Sequence, residues 1–543
     1  MPEAFDPSSR RAFSGSLSAD APSWLLIATV SIVVASAAYA SKPVGDDAYL
    51  WLILREAPDE VLRGNADRGV VGAVFQAAAD TGWFWQIGWG ASIAASLITA
   101  AAARAWWLRL FPQFAPYWGA AALLSVAPIV FEIQAQLTPV YQLQCSALFL
   151  IGATFLRRDD RTAGPVRGAV AAVLTAALGC VTEYTLSAGA ALLVLLAVPL
   201  APSSPERRRS RFVGLVSLTV GLVVGYAAYR YFSATELRPA LELRGNLEHF
   251  VRRIWTVPFK LLQALAQVFG AALAYDGASV DVVTKVGAAA ALGGAVAACL
   301  AAIDLRRRSG AIRDSQPTTL ADPCPALLGI AAAVAAAVLP LLVMDRRPLD
   351  EGPASRYFAG IVPLGGCATL GLLLRVVGSS RRTGAAVAAV GLAVAVALND
   401  AGRWCRERDL LDAAGAKLRP LVSQRLTLIF ADFSATPYRG FGGAYHDLEL
   451  TARLTRSWSD AERRRVWIMP PVDLVGSPTS EPLFHRRLEA ADDPNERWRF
   501  DYHIRGLRRA GDVDRALLAI FAENGALRVI DLRSGRSPQG TPP

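Results

Sequence analysis

Two adjacent carboxylates, Asp46 and Asp47, lie in the segment Lys42-Pro43-Val44-Gly45-Asp46-Asp47-Ala48-Tyr49, where the chain leaves its first strongly apolar stretch, Ser23 to Ala40. A carboxylate at such a boundary can act as a general base, taking the proton of a hydroxyl that attacks an electrophile. Arg68, in Asn65-Ala66-Asp67-Arg68-Gly69, and the late group Arg346, Arg347, Arg356 and Tyr357 offer the complementary chemistry. Guanidinium groups bind phosphate oxygens through paired, charge-assisted hydrogen bonds. Glu132, followed by Gln134 and Gln136, and Glu183, inside the otherwise apolar stretch from Gly168 to Leu200, are further groups able to orient a hydroxyl. Plainer roles exist for each: an aspartate is a favoured helix N-cap, and an arginine at a headgroup can anchor by snorkelling.

These residues need elements to position them, and the composition says which kind. The chain has 543 residues, of which 53% are hydrophobic and only 19% charged. Soluble domains carry about 25% charged residues, so the balance favours a membrane protein. Apolar runs recur between residues 23 and 398, and about 18–20 such residues suffice to cross a bilayer. The expected fold is a polytopic α-helical bundle, because only helices or closed barrels satisfy their backbone in lipid. The net charge of +10 resides in short clusters between apolar runs, which is the positive-inside pattern and argues against nucleic acid as a partner. The six cysteines form no CxxC or Cys/His cluster, so neither a zinc site nor a disulfide framework is expected. Arg10 and Arg11 lie far upstream of Ser23 to Ala40, so a retained first helix is expected rather than a cleaved signal peptide.

Placing the basic clusters inside gives about eleven crossings. Residues 1–22 form a cytoplasmic tail, residues 23–398 a transmembrane domain, and residues 399–543 a soluble external α+β domain. External loops are expected at 41–82, 233–280 and 345–357. The first should contain an interfacial helix from Tyr49, and the second an amphipathic helix from Leu247 to Leu273. Trp83, Trp85 and Trp89 at one end of the second span, with Trp106 and Trp107 at the other, suggest an aromatic belt. Thr138-Pro139 suits the cap and first position of a helix. The polar pair Thr182-Glu183 should split its stretch into two short helices, with Glu183 at their outer tip. In the last domain, Leu426 to Phe433 and Arg465 to Met469 read as strands, and Ala516 to Leu532 as a hairpin turning at Asn524-Gly525.

This topology gathers Asp46, Asp47, Arg68, Glu132, Glu183, Arg346, Arg347, Arg356 and Tyr357 on the outer side. A carboxylate there could deprotonate an acceptor hydroxyl as it attacks a sugar's anomeric carbon, with arginines holding the phosphate of a lipid carrier. No metal is required, although a carboxylate pair could hold one hard cation.

An Asp-Asp pair straight after helix one, an interfacial helix behind it, and about eleven crossings followed by an external domain resemble the GT-C superfamily of integral-membrane glycosyltransferases. The resemblance covers roughly residues 20 to 400, chiefly as architecture, with Gly45-Asp46-Asp47-Ala48-Tyr49 as its acidic motif. It implies a polyprenyl-phosphate sugar donor, a glycan, lipid or protein acceptor, and a catalytic base on Asp47 or Asp46. Asp67-Arg68-Gly69 lies where many members place an arginine. The implied location is a bacterial inner membrane, with the N-terminus cytoplasmic and the C-terminal domain periplasmic or extracellular. An oligosaccharide ligase or polymerase using lipid-diphosphate glycans is the neighbouring alternative. It would rest on arginines and a histidine in a large late external loop, whereas 345–357 is short and lacks histidine. A transporter would call for polar residues in mid-helix and repeat symmetry.

Overall fold

Alanine, valine, leucine and glycine fill the long apolar stretches, and those among the described residues fold as helices. The computed structural model describes residues 8–41, 51–52, 77, 83–126, 139–156, 164–181, 184–198, 205–232, 324–343, 361–377, 379–436, 446–471, 485–489, 499–504 and 507–532. The protein is mostly helical, with a small sheet near its C-terminus. The chain divides into two compact units. One contains Met1–Ser36, Gln86–Gln134 and Thr138–Ala401, and the other Ala37–Trp85, Ala135–Leu137 and Gly402–Pro543.

The helices of the first unit are α1 (Ser8–Ser41), α2 (Phe84–Leu110), α3 (Trp118–Val126), α4 (Pro139–Thr154), α5 (Gly164–Gly179), α6 (Tyr184–Ala197), α7 (Pro205–Phe232), α8 (Cys324–Val343), α9 (Val362–Val376) and α10 (Arg382–Leu418). Helix α1 runs on into the second unit at its last residues, and α10 does so from residue 402. Among the described residues, three stretches are long and apolar enough to cross a membrane: Asp20–Ala40, Trp85–Leu110 and Arg208–Tyr229. Shorter apolar helices accompany them at Gly164–Gly179, Thr185–Ala197, Cys324–Ala337 and Pro363–Val376. The expected amphipathic helix at Leu247 to Leu273 lies outside the described residues.

Helices α1 and α2 lie antiparallel and are tied near both ends. Near one end Arg104 donates to Asp20 at 2.6 Å, and the Trp118 indole donates to the same carboxylate at 3.1 Å. Near the other, the Trp89 indole donates to Ser36 at 3.3 Å. The ties are sixteen residues apart on α1 and fifteen on α2, roughly 24 Å at 1.5 Å per residue, which is most of a hydrocarbon core of about 30 Å.

Helices α5 and α7 pack closely, with Gly179 against Gly225, as small residues allow between membrane helices. Their other faces leave Val166, Val170, Val173 and Leu174 on α5 and Val216, Val220, Val223 and Val224 on α7 exposed at helical spacing. Continuous apolar stripes of that size suit lipid better than water.

Two expectations need correction. Trp106 and Trp107 are fully buried among protein groups instead of facing a headgroup layer. Their indole N–H groups donate to the carbonyls of Phe149 (3.0 Å) and Phe114 (2.9 Å), so the polar edge is satisfied inside and needs no interface. The last helix also does not stop at Leu398. Helix α10 continues to Leu418, because Leu411, Ala414 and Leu418 recur at helical spacing and bury one face in the core of the second unit.

That core is built around a mixed sheet of β1 (Leu426–Asp432), β2 (Val466–Met469), β3 (His485–Glu489), β4 (Arg499–Ile504), β5 (Leu507–Phe521) and β6 (Leu527–Asp531), in the order β2-β1-β5-β4-β3 with β6 on β5. Strand β1 is buried along its middle and runs parallel to both β2 and β5. This explains its unbroken apolar run, since a strand covered on both faces does not alternate. Its crossover to β2 carries α11 (His446–Leu454) and α12 (Asp460–Arg463). Phe433 and Phe521 stack at 4.5 Å in the core. The two strands expected at Leu426 and Arg465 and the hairpin near residue 524 are present as β1, β2 and the antiparallel β5–β6 pair.

Candidate functional site

The nine residues singled out by their chemistry, Asp46, Asp47, Arg68, Glu132, Glu183, Arg346, Arg347, Arg356 and Tyr357, lie outside the described residues. The structure gives the elements that flank them. Glu183 falls between α5 and α6, so the stretch from Gly168 to Leu200 is divided at Thr182-Glu183 as its polar pair implies. The two helices have 16 and 14 residues, too few for each to cross a core of about 30 Å at 1.5 Å per residue. Helix α4 begins at Pro139, whose missing N–H costs nothing in a first turn.

Two serines tie the ends of helices that lead to these segments. Ser125, next to the last residue of α3, donates to the carbonyl of Pro363 at 3.3 Å and accepts from the backbone of Gly366 at 3.1 Å. The end of α3 and the start of α9 are therefore neighbours. Ser187, in the first turn of α6, donates to the carbonyl of Ala337 at 2.7 Å. This links the helix that follows Glu183 with the one that precedes Arg346-Arg347. A buried polar set lies between α2 and α4: Gln142 donates to Thr99 at 2.9 Å, and Thr99 shares a hydrogen bond with Ser146 at 2.8 Å. Such interhelical bonds join apolar helices with modest energy, about 0.6 kcal/mol each.

The acid-pair segment is bounded within the second unit, and its two ends are described. Ala40 lies in the last turn of α1, where carbonyls lack partners inside the helix. Its oxygen accepts from Arg456 at 2.7 Å, and the other arm of the same guanidinium binds Asp412 at 2.6 Å. Beyond the segment, Trp51 and Leu52 are helical and buried. The Arg463 guanidinium lies 4.3 Å from the centre of the Trp51 ring, a cation–π geometry. Arg463 is itself fully buried, with its arms donating to Asp460 at 2.8 Å and to the carbonyl of Trp458 at 2.9 Å.

Both arginines belong to the β1–β2 crossover, which is itself braced. Arg453 on α11 donates to Glu449 at 3.0 Å and to Glu407 of α10 at 3.4 Å, all three side chains being at least 96% buried. Ser459 and Glu462 close a capping box at the start of α12. Arg419 grips Glu462 through both carboxylate oxygens at 2.7 and 3.0 Å. That guanidinium, followed by the Ser459 hydroxyl and backbone, lowers the Glu462 carboxyl to about 2.

Sequence reading missed Arg453, Arg456 and Arg463. The spacing of Glu449 and Arg453, four apart on a helix, was the one available signal. Arg456 and Arg463 carry no local signature, because their partners Ala40 and Trp51 are about four hundred residues away. Among the described residues no group of three or more His, Cys, Asp or Glu is placed to hold a metal ion. The chain matches no protein-family model, no curated protein and no solved structure.

Proposed function

We propose that the protein is an integral-membrane glycosyltransferase that moves a sugar from a polyprenyl-phosphate carrier to a hydroxyl on a glycan, lipid or protein acceptor. The reading rests chiefly on one feature: an adjacent acid pair, Asp46-Asp47, directly follows the first membrane-length helix. About eleven crossings, a cytoplasmic N-terminus, an external C-terminal domain and a bacterial inner membrane belong to the same proposal.

In this scheme Asp47, or its neighbour Asp46, takes the proton of the acceptor hydroxyl. The acceptor oxygen bonds to the anomeric carbon from the face opposite the carrier, and the bond from that carbon to the phosphate oxygen breaks. Configuration inverts, and the electron pair leaves on the polyprenyl phosphate. Arg68 and Arg356, with Tyr357, Arg346 and Arg347, receive its growing charge, as preorganised donors do where charge develops. Glu183 and Glu132 orient the acceptor. The displacement needs no metal; a hard cation held by the acid pair would reveal itself as activity lost on chelation.

Asp47→Asn and Asp46→Asn, assayed for transfer from radiolabelled polyprenyl-phosphate sugars in membranes, test the reading. Loss of the base should lower the rate by about 10²–10⁴-fold in one of them. Full activity in both variants would remove the acid pair from the mechanism.

A further inference from the structure

We propose that the end of the β3–β4–β5 ribbon where β4 passes into β5 is a docking surface for an anionic phospholipid layer. The proposal goes beyond sugar transfer and does not rest on it. The register of the three strands fixes which residues share a row. Ile504 stands opposite Leu507 in the row at this end. The next row holds His485, His503 and Arg508, and the one after it Arg486, Tyr502 and Arg509. Neither of these two rows contains an acid. Further along the strands the charges balance: Arg487 stands opposite Asp501, and Arg499 stands between Glu489 and Asp512, the opposite-charge pairing that favours a sheet. Three arginines are therefore left without an acid in register, in two rows about 3.3 Å apart on strands about 4.8 Å apart. Among the described residues β3 ends the strand order, so the block lies at an edge of the sheet. Charge complementarity calls for an anionic occupant, and two features select lipid among anions. The order from the end of the ribbon inward is an apolar row, then cations with a tyrosine, which matches the acyl boundary and headgroup layer of a membrane in sequence. A soluble polyanion would have no use for the apolar row. The unit that holds these strands also holds Ala37–Trp85, which continues directly from the membrane-length stretch Asp20–Ala40, and such a tether raises the local concentration of bilayer surface.

The test uses the full-length protein in two kinds of lipid nanodisc, one of phosphatidylcholine and one of phosphatidylcholine mixed with phosphatidylglycerol. Hydrogen–deuterium exchange is followed in peptides covering 485–489, 499–504 and 507–512. Each arginine near an anionic surface is worth about fivefold in affinity, so three give about 10²-fold. These peptides should therefore exchange more slowly in the anionic discs, with β1 and β2 the same in both. Salt at about 1 M, which shortens the screening length to about 3 Å, should abolish the difference. This comparison needs only the wild type, so it does not depend on whether a variant folds. R486Q/R508Q/R509Q should lose the difference, and I504T/L507T, which keeps strand-favouring residues, should reduce it. Equal exchange in the two discs would overturn the proposal. Slowing by heparin added to the phosphatidylcholine discs, with none caused by anionic lipid, would assign the rows to a soluble polyanion and overturn the lipid occupant. A lipid-dependent difference that survived in R486Q/R508Q/R509Q would overturn the assignment to these rows. None of these readouts depends on whether the protein transfers a sugar.

Discussion

The Arg463 guanidinium lies 4.3 Å from the centre of the Trp51 ring, although 412 positions separate the two residues in the chain. Seven residues earlier, Arg456 reaches the carbonyl of Ala40. The chain segment just after the first membrane-length helix thus belongs, at both of its described ends, to the unit formed by the C-terminal sheet.

The buried set Arg453, Glu449 and Glu407 contains two carboxylates and one guanidinium. R453M should therefore destabilise the second unit by about 3–5 kcal/mol, since it breaks two buried ion pairs at once. E407Q, which keeps a hydrogen-bonding oxygen and leaves one full ion pair, should cost less. Chemical denaturation in detergent, followed by proteolysis of the C-terminal unit, measures both.

Gly366 on α9 faces α3 so closely that an added Cβ would lie 2.1 Å from the carbonyl oxygen of Ala121. Neither backbone can yield without separating the helices. G366A should lower the thermal midpoint by an amount corresponding to about 1–3 kcal/mol of overpacking. Gly384, exposed on α10 with nothing within 4 Å of its virtual Cβ, is the control. G384A should stay within about 0.5 kcal/mol of the wild type.

The turn between β5 and β6 places Gly525 at φ +76°, with its N–H donating to the carbonyl of Ala522 at 2.9 Å and its carbonyl accepting from Lys417. A side chain is disfavoured at that angle by about 1–2 kcal/mol. G525A should therefore loosen the hairpin, seen as faster amide exchange in 517–531 with the helices unaffected.

Glu462 titrates at about 2 in the folded protein against an ordinary 4.5. A carboxyl lowered on folding contributes stability that is fully present above about pH 4.5 and disappears as pH falls towards 2. E462Q should flatten the acid limb of the stability curve in that window. The effect should be small and should shrink with added salt, because the Arg419–Glu462 pair is largely exposed to water.

Much of the architecture was legible in the chain, because helices and strands follow local patterns. Long runs of small apolar residues gave the helices, Thr182-Glu183 marked the break between α5 and α6, Pro139 marked a helix start, and the apolar run at Leu426 marked a central strand. The acid pair and the arginines could likewise be named from their types and neighbours. The end of α10 was misread, since its apolar face after residue 398 becomes intermittent where it leaves one core and enters another. Trp106 and Trp107 were misplaced, because an indole at the end of a span looks the same whether its N–H meets a headgroup or a buried carbonyl.

The sequence alone determined that the chain is apolar enough for several helices to cross a membrane, and that two carboxylates follow the first of them. Both depend on residue type within a short window. Only the tertiary structure decided that Arg456 meets the carbonyl of Ala40 and that Arg463 lies over the ring of Trp51. The physical reason is that a carbonyl at a helix end and the face of an indole accept any nearby cation. Nothing in their own neighbourhood along the chain says which of the 56 lysines and arginines folding will bring to them.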